Sequence, residues 1–217
     1  MTRISKHHYA VLIGVLGVVS FLAAQFVGAV SLPLPGEGTG AEIAAAYEGG
    51  VTAARFGLLL QAASGFGLLW FATALGAGLA KPYRQLATAG GVAAAVMLTI
   101  SACTGLLMTQ DAALDSPELL PVLQWQSFLT GGAAHVMWLG PMLGGVAIGA
   151  AREGLIPKWL KVAGVVIAFA AAGSVLALAV WEASPLIPLG RFGTFAWILV
   201  AAPFLLRRET TRPAPTD

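Results

Sequence analysis

The sequence predicts an all-α polytopic membrane protein: a bundle of six transmembrane helices in one domain (residues 1–208), with both termini in the cytoplasm. Three observations carry that expectation. The 217 residues are 58% hydrophobic and only 10% charged, with a mean hydropathy of +0.82, whereas soluble domains carry about 25% charged residues. Six segments reach or approach the roughly 20 apolar residues that a helix needs to cross hydrocarbon. The basic residues, finally, collect on alternate connections between those segments. This composition excludes a water-soluble domain, a disordered chain and a nucleic-acid binder. A single cysteine, Cys103, excludes an intrachain disulfide.

The first span is expected over residues 9–30, behind a basic stretch holding Arg3, Lys6, His7 and His8. Its apolar core is longer than that of a usual signal peptide, so it reads as a retained helix. The connection that follows starts with Pro33, Pro35 and Gly36, which favour turning or extended backbone. Thr39 and Glu42 then stand at capping-box spacing, which predicts a short outer helix through Ile43 to Tyr47. Spans two and three are expected over residues 56–80 and 86–109, joined by a short basic loop around Pro82. Beyond them, Ser116-Pro117-Glu118 offers a helix start with a capping serine and an acid near the positive helix end.

The fourth span is expected over residues 127–151, with Pro141 placed to kink it because proline lacks the amide hydrogen. Residues 159–181 and 192–206 supply the last two spans. The tail over residues 209–217, with two prolines, is expected to be disordered. With the amino terminus inside, ten of the twelve Lys and Arg residues fall on the cytoplasmic side, leaving only Arg55 and Arg191 outside. Small residues at four-residue spacing mark close helix contacts: Gly140/Gly144, Gly145/Gly149, Ala87/Gly91 and Gly164/Ala168/Ala172. These stripes fit either a tight bundle or docking to a homo-oligomer or a larger membrane complex.

Polar groups inside a membrane are costly and are therefore candidates for function. His135 lies roughly 12 Å deep, at about 1.5 Å per residue, and Gln61 enters span two to a similar depth. Gln25, Ser101, Cys103 and Thr104 occupy the same outer half, and Glu182 and Arg191 bracket the last outer turn. The expectation is an outward-facing polar pocket for a small molecule. In it His135 would act as proton acceptor or ligand, Gln61 and Gln25 as polar partners, and Arg55, Arg191 and Glu182 as charged groups at the rim. The bland alternative makes His135 a packing residue and pairs the arginines with loop acids. No lysine lies mid-membrane to hold retinal, and one intramembrane histidine cannot ligate haem in a pair, so no cofactor or metal is expected. An intramembrane enzyme using His135 or Glu182 lacks a nucleophile–base set. The remaining rival is a non-catalytic accessory subunit.

The segment Gly154-Leu155-Ile156-Pro157-Lys158-Trp159-Leu160 breaks the chain between spans four and five and follows the break with an interfacial Trp and Lys. It resembles a turn in small six-span bacterial membrane proteins of unknown function, often from actinobacteria, in which a Gly–apolar–Ile/Leu–Pro–Lys/Arg–Trp–Leu step joins two late helices. Arg55 and Arg191, each expected to open a span, are similar to that group as well. The resemblance implies a multi-pass protein of the bacterial plasma membrane with the lipid bilayer as its surroundings. It implies no activity.

Overall fold

The computed structural model describes residues 6–28 and 31–206. The expected tail over residues 209–217 lies outside the described residues. Those described form helices and turns arranged as a six-span bundle, with spans at His8–Val27, Val51–Leu75, Lys81–Met108, Pro117–Arg152, Lys158–Leu178 and Trp181–Leu206. The chain is therefore a multi-pass membrane protein with all-α architecture.

The helices in order are α1 (Lys6–Val27), α2 (Gly40–Tyr47), α3 (Val51–Trp70), α4 (Lys81–Met108), α5 (Asp111–Leu114), α6 (Leu120–Leu129), α7 (His135–Arg152), α8 (Lys158–Gly173) and α9 (Leu186–Leu206). α3 runs on through a π-helical turn at Phe71–Leu75, and a second π-helical turn, Thr130–Ala134, joins α6 to α7. α4 packs along α7, α1 along α3, and α8 bridges α7 and α9. The main core joins Phe21, Phe71, Leu139, Met142 and Phe195 across four spans. A second apolar cluster of Ile43, Tyr47, Ala54, Met108 and Leu120 pins α2 over the outer ends of α3, α4 and α6. The exposed surface keeps apolar residues such as Leu16, Phe66, Val166 and Phe169, as lipid contact requires.

Several boundaries differ from the sequence expectation. α4 already begins at Lys81, because Pro82 sits in the first turn, where its missing amide hydrogen costs nothing. Ser116 makes no side-chain cap; Pro117–Leu119 is a 3₁₀ turn that leads straight into α6, so the fourth span starts about ten residues early. α9 begins at Leu186, which moves Arg191 from the helix entrance to its second turn. Pro141 stands inside continuous helix. The departure from helical geometry falls instead at Gly132 (φ −84°, ψ −105°).

Other local expectations hold. Thr39 and Glu42 close the capping box at the start of α2. Gly154, at φ +67°, ends α7: its amide bonds to the Ala151 carbonyl (3.1 Å), and that of Leu155 to the Ala150 carbonyl (2.8 Å). That left-handed glycine cap satisfies the last carbonyls before Pro157 releases the chain into α8.

The small-residue stripes are consumed inside the bundle. A Cβ on Gly140 would lie 2.7 Å from the Ala168 carbonyl of α8, and one on Gly145 2.7 Å from the Ala87 nitrogen of α4. Two further close approaches join α1 to α3, Gly17 on Gly67 and Gly28 on Gly57, where an added Cβ would meet the opposing backbone at 2.5–3.0 Å. Backbone contact this close gives van der Waals attraction in a solvent where apolar surface alone drives little association.

Neighbouring glycines of one stripe should respond differently. Gly145→Ala drives a methyl into the backbone of α4 and should cost roughly 1–3 kcal/mol. Gly144→Ala meets only the Ala168 methyl, at 3.6 Å, and should be close to neutral. Thermal unfolding of the two variants in one detergent checks the difference; equal midpoints would refute this packing.

Candidate functional site

The site starts from a defect in the backbone. Thr130, Gly131 and Gly132 stand in sequence within an apolar span, and at Gly132 the chain leaves helical geometry. The amide of His135 then bonds to the carbonyls of Thr130 and Gly132, passing over that of Gly131. In lipid a carbonyl left over must find a donor within the protein. Arg191, reaching across from α9, supplies it: its Nη2 donates to the Gly131 oxygen. The guanidinium also lies over the Phe21 ring, 5.2 Å from its centre, a favourable place for a cation. Arg191 Nε is buried without a partner.

Beside this contact, three polar side chains link α3, α4 and α6. Gln61 Nε2 donates to Ser101 Oγ (3.2 Å), and Ser101 Oγ donates to the Ser127 carbonyl (2.9 Å). Ser127 Oγ returns a bond to the Ser101 carbonyl (3.2 Å). Gly131 must lack a side chain here, because a Cβ would stand 2.2 Å from Ser101 Oγ. Higher up, Gln124 is 6% exposed and donates Nε2 to the Pro33 carbonyl at 2.7 Å. That acceptor fixes the amide orientation and leaves Gln124 Oε1 buried with no donor.

Together these groups surround a cavity of about 420 Å³ at the end of the bundle that α2 covers. Phe21 and Gln25 of α1, Leu58 and Gln61 of α3, Leu98 and Ser101 of α4, Gln124 and Phe128 of α6, and Ile187 and Arg191 of α9 line it. Pro33, Pro35 and Tyr47 roof it. Among the described lining residues none is Asp, Glu, Lys, His or Cys, so the cavity offers hydrogen bonds and one cation but no nucleophile–base pair.

Three of the six candidates from the sequence meet here: Gln25, Gln61 and Arg191. The other three do not. His135 is fully buried between α7 and α4, with Nδ1 2.8 Å from the Ala94 carbonyl and Nε2 sealed without a partner; it packs the helices and does not line the cavity. Arg55 ties down the end of α4, giving Nε to Thr109 Oγ1 (3.1 Å) and Nη2 to the Thr109 carbonyl (2.5 Å). Glu182 is exposed on the last outer turn. Both arginines thus serve carbonyls at a helix end or break, and neither pairs with the loop acids of the alternative reading. Gln124, Ser127 and the Gly131–Gly132 break were not singled out from the sequence. The adjacent glycines after Thr130 were the available signal, since paired small residues commonly mark a kink.

The roof is held by the capping box. Thr39 donates its amide to Glu42 Oε2 (2.7 Å) and its hydroxyl to the same oxygen (2.9 Å). These bonds, the backbone one first, hold the Glu42 carboxyl below its ordinary 4.5. Burial pushes the Tyr47 hydroxyl up, so it stays neutral over the cavity. The chain matches no family model, no curated protein and no solved structure.

Two outcomes follow. A carboxyl whose pKa is depressed in the folded state stabilises above its unfolded pKa and loses that contribution as pH falls through the folded one. Hydrogen exchange at the first amides of α2 should therefore quicken as pH drops below about 4.5 relative to the spans, and Glu42→Gln should flatten that response. His135→Ala should cost roughly 2–4 kcal/mol, from a lost buried ring and its hydrogen bond. Calorimetric melting checks the second; an unchanged midpoint would contradict the packing role.

Proposed function

We propose that the protein binds or carries a small molecule in the cavity beneath its outer loops, as a multi-pass protein of the bacterial plasma membrane. The bacterial assignment rests on the resemblance of the Gly154–Leu160 turn, and the outward orientation on the distribution of Lys and Arg. One observation supports ligand binding above others. A cavity of about 420 Å³ is lined by two residues, Gln124 and Arg191, that each keep a buried polar atom without a partner, Oε1 and Nε respectively. Its size falls within the roughly 300–1,000 Å³ typical of small-molecule sites. An unpaired buried donor or acceptor costs about 1–3 kcal/mol, which a ligand carrying the complementary groups would recover.

The rival reading, an accessory subunit docked through glycine-rich faces, has no observation in its favour. The glycines of the fourth span that would make such a face already contact α4 or α8. An enzymatic reading through His135 or Glu182 is not favoured either, since neither lines the cavity.

The test is a thermal-shift screen of small polar and amphipathic compounds on protein in lipid nanodiscs. A true ligand at a hundred times its Kd should stabilise by about 2.7 kcal/mol. The shift should persist in His135→Ala and vanish in Ala24→Phe, which fills the cavity from α1. Shifts of equal size in Ala24→Phe, or none with any compound, would remove the basis for this reading.

A further inference from the structure

We infer that the cavity's ligand is an amphipathic anion, a carboxylate or phosphate group on an apolar body, with Arg191 as its anchor; this rests on the binding function proposed above. Arg191 is the one formally charged side chain among the described residues lining the cavity. An isolated cation at membrane depth is expensive, yet what faces it here is one backbone carbonyl, from Gly131, and the Phe21 ring. Among the described residues lining the cavity none is a carboxylate to neutralise it.

The guanidinium is also only partly used. Nε and Nη2 form one edge of the planar fork, the edge that receives both oxygens of a carboxylate or phosphate. Nη2 serves Gly131 while Nε has no partner. The other unpartnered atom, Gln124 Oε1, is an acceptor and repels an anion. The anionic group is thereby directed to the Arg191 end, and Gln124 is left to take a hydroxyl donor. Beside the polar Gln61–Ser101–Ser127 chain, Phe21, Leu98, Phe128 and Ile187 supply apolar wall, which fits an apolar body carried by the anionic group.

The experiment uses the full chain in zwitterionic nanodiscs, titrated with decanoate, decyl phosphate, decanol, decyltrimethylammonium and inorganic phosphate. Binding is read by thermal shift and by the fluorescence of Trp125, which stacks edge-on against Phe128 at 6.0 Å. Decanoate and decyl phosphate should bind at least about tenfold tighter than decanol, the factor for one charge-assisted hydrogen bond. The decyl cation and inorganic phosphate should bind more weakly than either. Arg191→Met should abolish the preference for decanoate over decanol, Arg191→Lys should keep part of it, and Ala24→Phe should lose decanoate altogether.

Equal binding of decanol and decanoate by the unaltered chain would overturn the anion while leaving a binding cavity in place. Inorganic phosphate binding as tightly as decyl phosphate would overturn the apolar body. Decanoate binding that survives Ala24→Phe would be bilayer partitioning and would also overturn the inference. Should none of these probes bind, the inference falls, and the wider screen then decides whether the binding function falls with it. If Arg191→Met does not fold, the decanoate-to-decanol ratio of the unaltered chain and of Arg191→Lys still decides.

Discussion

A helix interrupted inside a membrane must have its released carbonyl satisfied by protein, because hydrocarbon has no donor to offer. The end of the bundle that α2 covers is organised by that constraint. The chain breaks at Gly132, the His135 amide passes over the Gly131 carbonyl, and Arg191 is drawn inward from α9 to reach it. The interruption also sets what lies on either side. Above it, α6 turns Gln124, Ser127 and Phe128 towards the cavity; below it, α7 presents His135 to the Ala94 carbonyl of α4. Arg55 obeys the same rule at the end of α4, where Thr109 supplies the exposed carbonyl.

Rigid contact elsewhere makes such an interruption tolerable. α1 meets α3 through paired glycines, and α7 meets α4 and α8 through Gly145 and Gly140. These approaches bring backbone against backbone, so helix positions are fixed by contact and not by the sorting of apolar from polar surface, which lipid does not drive. The same economy removes the free glycine face that docking to another protein would use. Cavity volume gathers at the end of the bundle that α2 covers, under a roof held by Tyr47 and the Thr39–Glu42 box.

The number of spans, their approximate limits, the short helix α2 and the break between α7 and α8 after Gly154 were legible in the sequence, because each depends on local composition or on a short motif. That Gln25, Gln61, Ser101 and Arg191 share one end of the bundle was legible too, since position along a helix follows from counting residues. Azimuth was not. A π-helical turn holds an extra residue, so a helical wheel drawn through Thr130–Ala134 misplaces every face beyond it. His135, the first residue past that turn, was expected in the pocket from its depth alone, whereas it faces α4. Gln124 was missed for a related reason: counting apolar residues started the span at 127, and the structure continues the helix upward through residues that composition marks as loop.

The identity of the side chain at position 191 bears on the proposed binding role. Satisfying one carbonyl needs one donor, which Asn, Gln or Ser would supply without bringing a formal charge into the bundle. Ser174, giving its hydroxyl to the Ala133 carbonyl at 3.3 Å, does that a few residues further along the same interrupted span. Arginine brings five donors and a permanent charge; its Nε is left unpartnered, and no acid is among the described residues lining the cavity with it. The structural duty at Gly131 accounts for one of those donors and for none of the charge. An anion held in the cavity would account for the rest: it would pair the guanidinium in a medium of low dielectric, where such a pair is far stronger than in water.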